Sequence, residues 1–171
     1  MGVDVKYSFD DMGASRIFRD LKRLGELVLV VGLVGARASA RHPEATVTVA
    51  NVGLFSEFGT FRAPERSFIR SAISEGREEI ARKYQQQSTL VVAGRRSPVD
   101  ALQQVGILAA RLVRQKLDSA PSWAVPLRQS TVKRKGSDIP LRDTDTMRKA
   151  IGYAVRDGGT RGPTLVEGYA T

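Results

Sequence analysis

The sequence predicts an α+β fold, with a small antiparallel sheet of about four strands packed by two long helices and an extended arm that reaches another subunit. Three observations predict it. A β-branched run covers residues 27–34, residues 151–155 alternate toward a strand with which residues 164–169 can pair, and apolar stripes at helical spacing cover 64–86 and 98–118. A chain of 171 residues can bury the core of one domain, so residues 1–171 are treated as a single unit.

The N-terminal helix and strands are predicted from the spacing of apolar residues and from residues that can cap a helix. Residues 10–25 carry apolar positions three to four apart, which predicts an amphipathic helix that starts at Asp10 or Asp11 and stops at Gly25. The run 27–34 predicts a strand buried on both faces. The alternation over 46–49 predicts a second strand, antiparallel to the first.

The middle of the chain predicts mostly helix. Residues 51–58 are predicted to form a short helical or turn segment with Val52, Phe55 and Phe58 on one side. Pro64 fits the first turn of a long helix that runs to about residue 86. Residues 89–94 are compatible with a short strand or with a helical turn. A second long helix starts at Pro98 and runs to about residue 118.

Residues 119–142 show neither a helical nor a strand period. They contain three prolines, and Trp123 and Leu127 need a surface to bury against. We therefore predict an arm, residues 119–142, that packs on a neighbouring subunit. Asp143 and Thr144 then cap a short helix over 145–150, and the hairpin 151–169 follows.

Composition limits the chemistry. The chain has no cysteine and one histidine, His42, which we expect to be an exposed loop residue. No P-loop, calcium loop or hydrolase triad is present in the sequence, so we predict no enzyme, no cofactor and no metal site. The longest apolar run, eight residues, cannot span a bilayer, and the N-terminus does not read as a signal peptide. We expect no membrane partner.

The charge of +9 is uneven. Residues 1–60 hold 7 basic and 7 acidic side chains, residues 61–118 hold 11 and 6, and residues 119–171 hold 9 and 5. Such an excess suits a polyanion or an acidic protein. The alternative function is therefore a nucleic-acid-binding module that uses two basic clusters, Arg95–Arg96 and Lys133–Arg134–Lys135.

Two stretches carry a more specific signal. The first, here called the corner (residues 57–70), has turn residues, arginines and two aromatic residues: Glu57, Phe58, Gly59, Thr60, Pro64, Arg66, Phe68 and Arg70. The second, in and just after the arm, consists of Lys133, Lys135, Gly136, Pro140, Leu141, Asp143 and Thr144. In the corner, Phe58 and Phe68 are expected to pack on the core. Arg66 and Arg70 lie four residues apart, on one face of the predicted helix, and are expected to reach Glu57 or an acidic residue on a neighbouring subunit. This corner is read either as fold-stabilising structure or as a subunit interface.

Read together over residues 28–156, these stretches resemble the phage virion-morphogenesis (tail-completion) family, the group with the Mu-type G protein. That family shows a hydrophobic-x-x-E-F-G-T turn, then P-x-R-x-F and a long helix, and later K-G-S and P-L-x-D-T. The segment 1–26 lies outside the resemblance. Ser67 stands where the family often has proline. Asp145 stands where it often has glycine, which puts a positive backbone angle there in doubt.

The resemblance implies a structural virion protein, assembled in the host cytoplasm, that forms a ring at the head–tail neck or the head-proximal end of the tail. The implied partners are further copies of the chain in a closed ring, with a hexamer as the suggested size, and the adjacent neck and tail tube or sheath proteins. DNA in the channel is a further expected contact for the basic surface.

Overall fold

The helices and strands were located in a computed structural model that describes residues 13–43, 46–136, 138–141 and 145–170. The elements in chain order are α1 (Ala14–Glu26), β1 (Leu27–Leu33), α2 (Gly35–Ser39), α3 (Val49–Phe58), α4 (Ile69–Glu75), α5 (Arg77–Val92), α6 (Pro98–Asp118), α7 (Ala120–Trp123), α8 (Gln129–Lys135), α9 (Thr146–Ala150), β2 (Ile151–Asp157) and β3 (Thr164–Tyr169). The α+β class is confirmed. The described residues hold three strands, not four.

The sheet is antiparallel throughout, in the order β1-β2-β3. The predicted C-terminal hairpin is confirmed as β2 and β3, with Val155 opposite Val166. β1 pairs with β2, so that Leu27 lies opposite Asp157 and Leu33 opposite Ile151. The first and the last parts of the chain therefore meet in one sheet.

The predicted strand over 46–49 is wrong. Only a single bridge joins Arg41 to Thr48, and Val49 already lies in α3. The physical reason is a helix cap, since the Thr48 hydroxyl accepts a hydrogen bond from the Asn51 backbone N–H at 3.3 Å. A residue committed to that cap starts a helix instead of a ladder.

The single long helix predicted over 64–86 is two helices in the structure, which start after Pro64 and extend beyond residue 86. Pro64 lies in an irregular segment, α4 begins at Ile69, and α5 continues to Val92 after a break at Gly76. Residues 89–92, ambiguous from the sequence, are helical. The predicted helix 98–118 is confirmed as α6, capped by Ser97, whose hydroxyl accepts from the Asp100 N–H.

The core lies between α6 and the sheet, because α6 packs against all three strands. Its main cluster joins Phe68, Val113 and Ile151, which are fully buried. A second cluster, around Leu24, Leu27 and Val155, lies at the end of the sheet next to α1. The helix α1 runs through Gly25 to Glu26, and its predicted caps Asp10 and Asp11 lie outside the described residues.

Candidate functional site

The helix α3 has the reverse of the usual amphipathic arrangement. Its inward positions are Val49, Gly53 and Glu57, which are buried. Its outward face, here called the α3 apolar face, consists of Leu54, Phe55 and Phe58, with exposed fractions of 54%, 45% and 59%. The prediction that Phe58 packs on the core is wrong.

The cause of this reversal is Glu57, whose carboxylate is only 4% exposed. It accepts hydrogen bonds from the Ser67 hydroxyl (2.8 Å), from the backbone N–H groups of Ile69 (2.9 Å) and Arg70 (2.8 Å), and from the Arg70 Nε (3.2 Å). The two backbone donors belong to the first turn of α4, where N–H groups lack helical partners and the helix dipole favours a negative charge. Glu57 therefore determines where α4 begins.

These contacts also set the protonation of Glu57. Burial alone would raise the pKa of this carboxyl group. The hydrogen bonds from Arg70, Ile69 and Ser67 outweigh burial, because they stabilise the ionised form, and the pKa is lowered. Glu57 is thus an ionised structural anchor and not a proton donor.

Arg70 closes the corner from outside. Its guanidinium donates to the Glu57 carbonyl at 3.0 Å and to the Glu65 carboxylate at 2.7 Å, and it lies 4.6 Å from the centroid of the Phe58 ring. The expected pairing of Arg70 with Glu57 within one chain is confirmed. Phe68 is fully buried, as predicted, but Phe58 lies on the outside beneath Arg70.

Between α3 and α4 the chain forms a tight loop that leads out to Phe61. Gly59 has φ of 72°, and a side chain there would lie 2.8 Å from the Glu65 backbone nitrogen. The Thr60 N–H then donates to the Ala63 carbonyl at 2.8 Å. These constraints hold Phe61, which is fully exposed, at the tip. Phe61 is not among the residues predicted from the sequence, although a large aromatic residue between Gly59 and Pro64 is an available signal.

The two stretches singled out in the sequence meet through Arg66. This residue precedes α4, so the expectation that it shares a helix face with Arg70 is wrong. Its guanidinium donates to the Val125 carbonyl at 3.0 Å and to the Pro126 carbonyl at 3.5 Å. Burial lowers the Arg66 pKa. A groove of about 710 Å³ lies between the loop 60–66 and the segment 125–131.

The arm is not extended over its length. Residues 120–123 and 129–135 are the helices α7 and α8. The Trp123 indole N–H donates to the Lys116 carbonyl at 2.9 Å, and the Lys116 ammonium lies 5.0 Å from the ring centroid. Trp123 thus packs on α6 of its own chain, which corrects the expectation that it needs a neighbouring subunit. The reason is that α7 starts directly after α6, so its indole stays within reach of the last turn of α6.

The remaining residues of the second stretch fall in several places. Leu127 lines the groove, and Lys133 is exposed on α8, which also contains Lys135. Gly136 ends α8 with φ of 69°. Pro140 is buried, and Leu141 packs against the main core with φ of 61°. Asp143 and Thr144, the predicted caps, lie outside the described residues.

The short helix predicted over 145–150 is α9, which begins at Thr146. Asp145 precedes it with φ of 54°. A positive backbone angle therefore exists at this position with aspartate in place of the family's glycine. Asp is among the few side chains that tolerate the left-handed region.

The two basic clusters of the alternative function do not form one patch. Arg95 and Arg96 lie in the turn before α6, and Arg96 donates to the Gln87 side chain at 2.6 Å. Lys133 lies on α8, beyond the other end of α6. A helix of 21 residues separates the two ends by about 30 Å.

His42 is buried, so its predicted exposure is wrong, and its backbone N–H donates to the Val47 carbonyl at 2.9 Å. Within the described part of the chain, no group of three or more His, Cys, Asp or Glu side chains could hold a metal ion. No helix among the described residues is both long and apolar enough to cross a bilayer.

No family model, no curated protein and no solved structure matches the chain. The resemblance stated from the motifs therefore stays a prediction.

Proposed function

We propose that this protein is a structural component of a tailed-phage or prophage virion that assembles into a ring through contacts between its own copies and catalyses no reaction. The observation that carries the proposal is the α3 apolar face, where Leu54, Phe55 and Phe58 point outward while a glutamate is buried behind them. Leaving these apolar side chains in water is unfavourable, and the Arg70 guanidinium covers part of one of them, Phe58. Such a face is typical of a protein–protein interface.

The placement of apolar surface favours contact between different faces of two copies. A second exposed pair, Phe18 and Leu21, lies on α1, which leads directly into β1 at Leu27. The α3 apolar face lies at the other end of β1, where the Leu33 side chain packs against Gly53. Seven strand residues separate these ends by about 20 Å.

Two different faces that associate head to tail generate a closed ring when the rotation closes, or a filament when it does not. We therefore propose that the α3 apolar face of one copy packs on the α1 face of the next. The location in the particle, at the neck or the head-proximal tail end, rests on the motif resemblance alone. The proposed neighbours also rest on that resemblance alone. They are the neck proteins, the tail tube or sheath proteins, and DNA in the channel.

The test is the mass of the purified protein by native mass spectrometry, together with negative-stain microscopy. We expect a closed ring for the wild type. The double variant Phe55→Ser with Phe58→Ser should be monomeric with an unchanged circular dichroism spectrum. Ile107→Ser is the matched control, because Ile107 has the same exposed fraction as Phe55, 45%, but lies on α6. A wild-type protein that is monomeric at all concentrations would count decisively against the proposal.

A further inference from the structure

The groove between the loop 60–66 and the segment 125–131 has a distinct chemistry. Its apolar lining comes from Phe61, Pro64, Val125, Pro126 and Leu127. Its charged lining consists of Arg62, Arg66 and Arg128, and none of the lining residues is acidic. A surface that combines exposed apolar groups with guanidinium groups of one sign is suited to a ligand that is both apolar and anionic.

The three guanidinium groups are not neutralised within the described part of the chain. Arg66 donates to two carbonyls, and no described carboxylate forms an ion pair with Arg62, Arg66 or Arg128. The described ion pairs use other cations: Arg16, Arg23, Arg70, Arg82, Arg111, Lys116 and Arg148. The groove therefore presents positive charge beside apolar surface.

We propose that this groove binds an acidic segment of a different protein, an extended stretch in which carboxylates alternate with aliphatic or aromatic side chains. The carboxylates would pair with Arg62 and Arg128 at the rim. The apolar side chains would pack on Phe61 and on the prolines of the floor. Arg66, held by the 125–126 carbonyls, positions the segment 125–131 as one wall.

Charge complementarity excludes a second copy as the favoured occupant. The protein is strongly basic, with a net charge of +9. Most of its described carboxylates are already engaged, including Glu57, Glu65 and Asp118. Nucleic acid is also disfavoured, because stacking of bases needs aromatic faces and the groove offers one, Phe61. The inference is independent of the ring contact, which uses the α3 apolar face.

The test is a selection of random displayed peptides on the immobilised full chain, followed by fluorescence anisotropy with the enriched peptides. We expect peptides rich in Glu or Asp and in Leu or Phe, whose binding weakens with salt. Arg62→Gln with Arg128→Gln should weaken them by about tenfold, since two exposed ion pairs are lost. Phe61→Ser should weaken them similarly. Arg95→Gln with Arg161→Gln, exposed cations elsewhere, is the control and should bind like the wild type.

Three results would overturn the proposal. One is a selection that enriches no peptides or only peptides without carboxylates. The second is binding that the groove variants do not weaken relative to the control. The third is a single-stranded oligonucleotide that binds the groove as tightly as the peptides, which would assign it to nucleic acid. The oligomeric mass of the groove variants should equal that of the wild type, so failure here is distinguishable from failure of the ring proposal.

Discussion

Replacing the buried Glu57 by Gln should destabilise the protein strongly. Gln keeps the shape and one carbonyl oxygen, so it can still accept from Ser67 and Arg70. It places an amide NH₂ against the Ile69 N–H, which loses its acceptor at 2.9 Å. A hydrogen bond to a charged group is worth about 1.5–3 kcal/mol. The charge at the start of α4 adds about 0.3–1 kcal/mol.

Together these losses amount to about 3 kcal/mol, which for a domain of this size lowers the melting temperature by about 6–12 °C. Circular dichroism during heating and urea unfolding at neutral pH measures both quantities. The matched control is Glu65→Gln, because Glu65 pairs with the same Arg70 at 2.7 Å but both side chains are about half exposed. That exposed pair should be worth less than about 1 kcal/mol. Equal losses in the two variants would refute the assignment of Glu57 as the anchor of the corner.

The same anchor predicts a pH dependence with a definite sign. The folded state lowers the Glu57 pKa below its ordinary value of 4.5, so the folded state releases this proton more readily than the unfolded chain. The stabilisation is therefore fully present above about pH 4.5 and is lost as the pH falls through the folded pKa. The stability difference between wild type and Glu57→Gln should be constant at neutral pH and shrink in acid. A difference that grows in acid would contradict the low pKa.

Two further predictions concern the loop and the arm. Gly59→Ala should cost about 2–3 kcal/mol in unfolding free energy, because it adds a clash with the Glu65 nitrogen to the strain of a positive φ. Gly136 has φ of 69° and open space around it, so the control variant Gly136→Ala should cost only about 1 kcal/mol. Equal costs in the two variants would disprove the clash. Trp123→Phe should cost about 1 kcal/mol through loss of its bond to the Lys116 carbonyl, and the emission wavelength of this single tryptophan should not change with protein concentration. A blue shift on assembly would instead place the indole in a subunit contact.

Elements with strong local signals were predictable from the sequence. The helix α6 has a serine cap, a proline in its first turn and an apolar stripe, and the hairpin β2–β3 turns in a glycine-rich segment, residues 158–162. The strand β1 is an apolar run that contains three valines. The pairing of Arg70 with Glu57 is one of the two contacts that the sequence left open for this arginine, the other being an acid on a neighbouring copy.

Other features depended on contacts that no local pattern encodes. The alternation over 46–49 resembles a strand, but the Thr48 hydroxyl is used as a cap and β1 takes its partner from the far end of the chain, at 151–157. Trp123 and the prolines around it predict an arm that packs on the surface of a neighbouring subunit. That surface is α6 of the same chain, because α7 starts directly after α6 and places the indole against the Lys116 carbonyl.

The sequence by itself determined the helix α6, the strand β1, the hairpin β2–β3 and the places of the two informative stretches, because periodicity and capping act over a few neighbouring residues. Only the tertiary structure decided which side of α3 is buried, since a glutamate with four donors outweighs the burial of two phenylalanines. It also decided that the corner and the segment 125–131 share one groove, because the Arg66 guanidinium joins residues almost sixty positions apart.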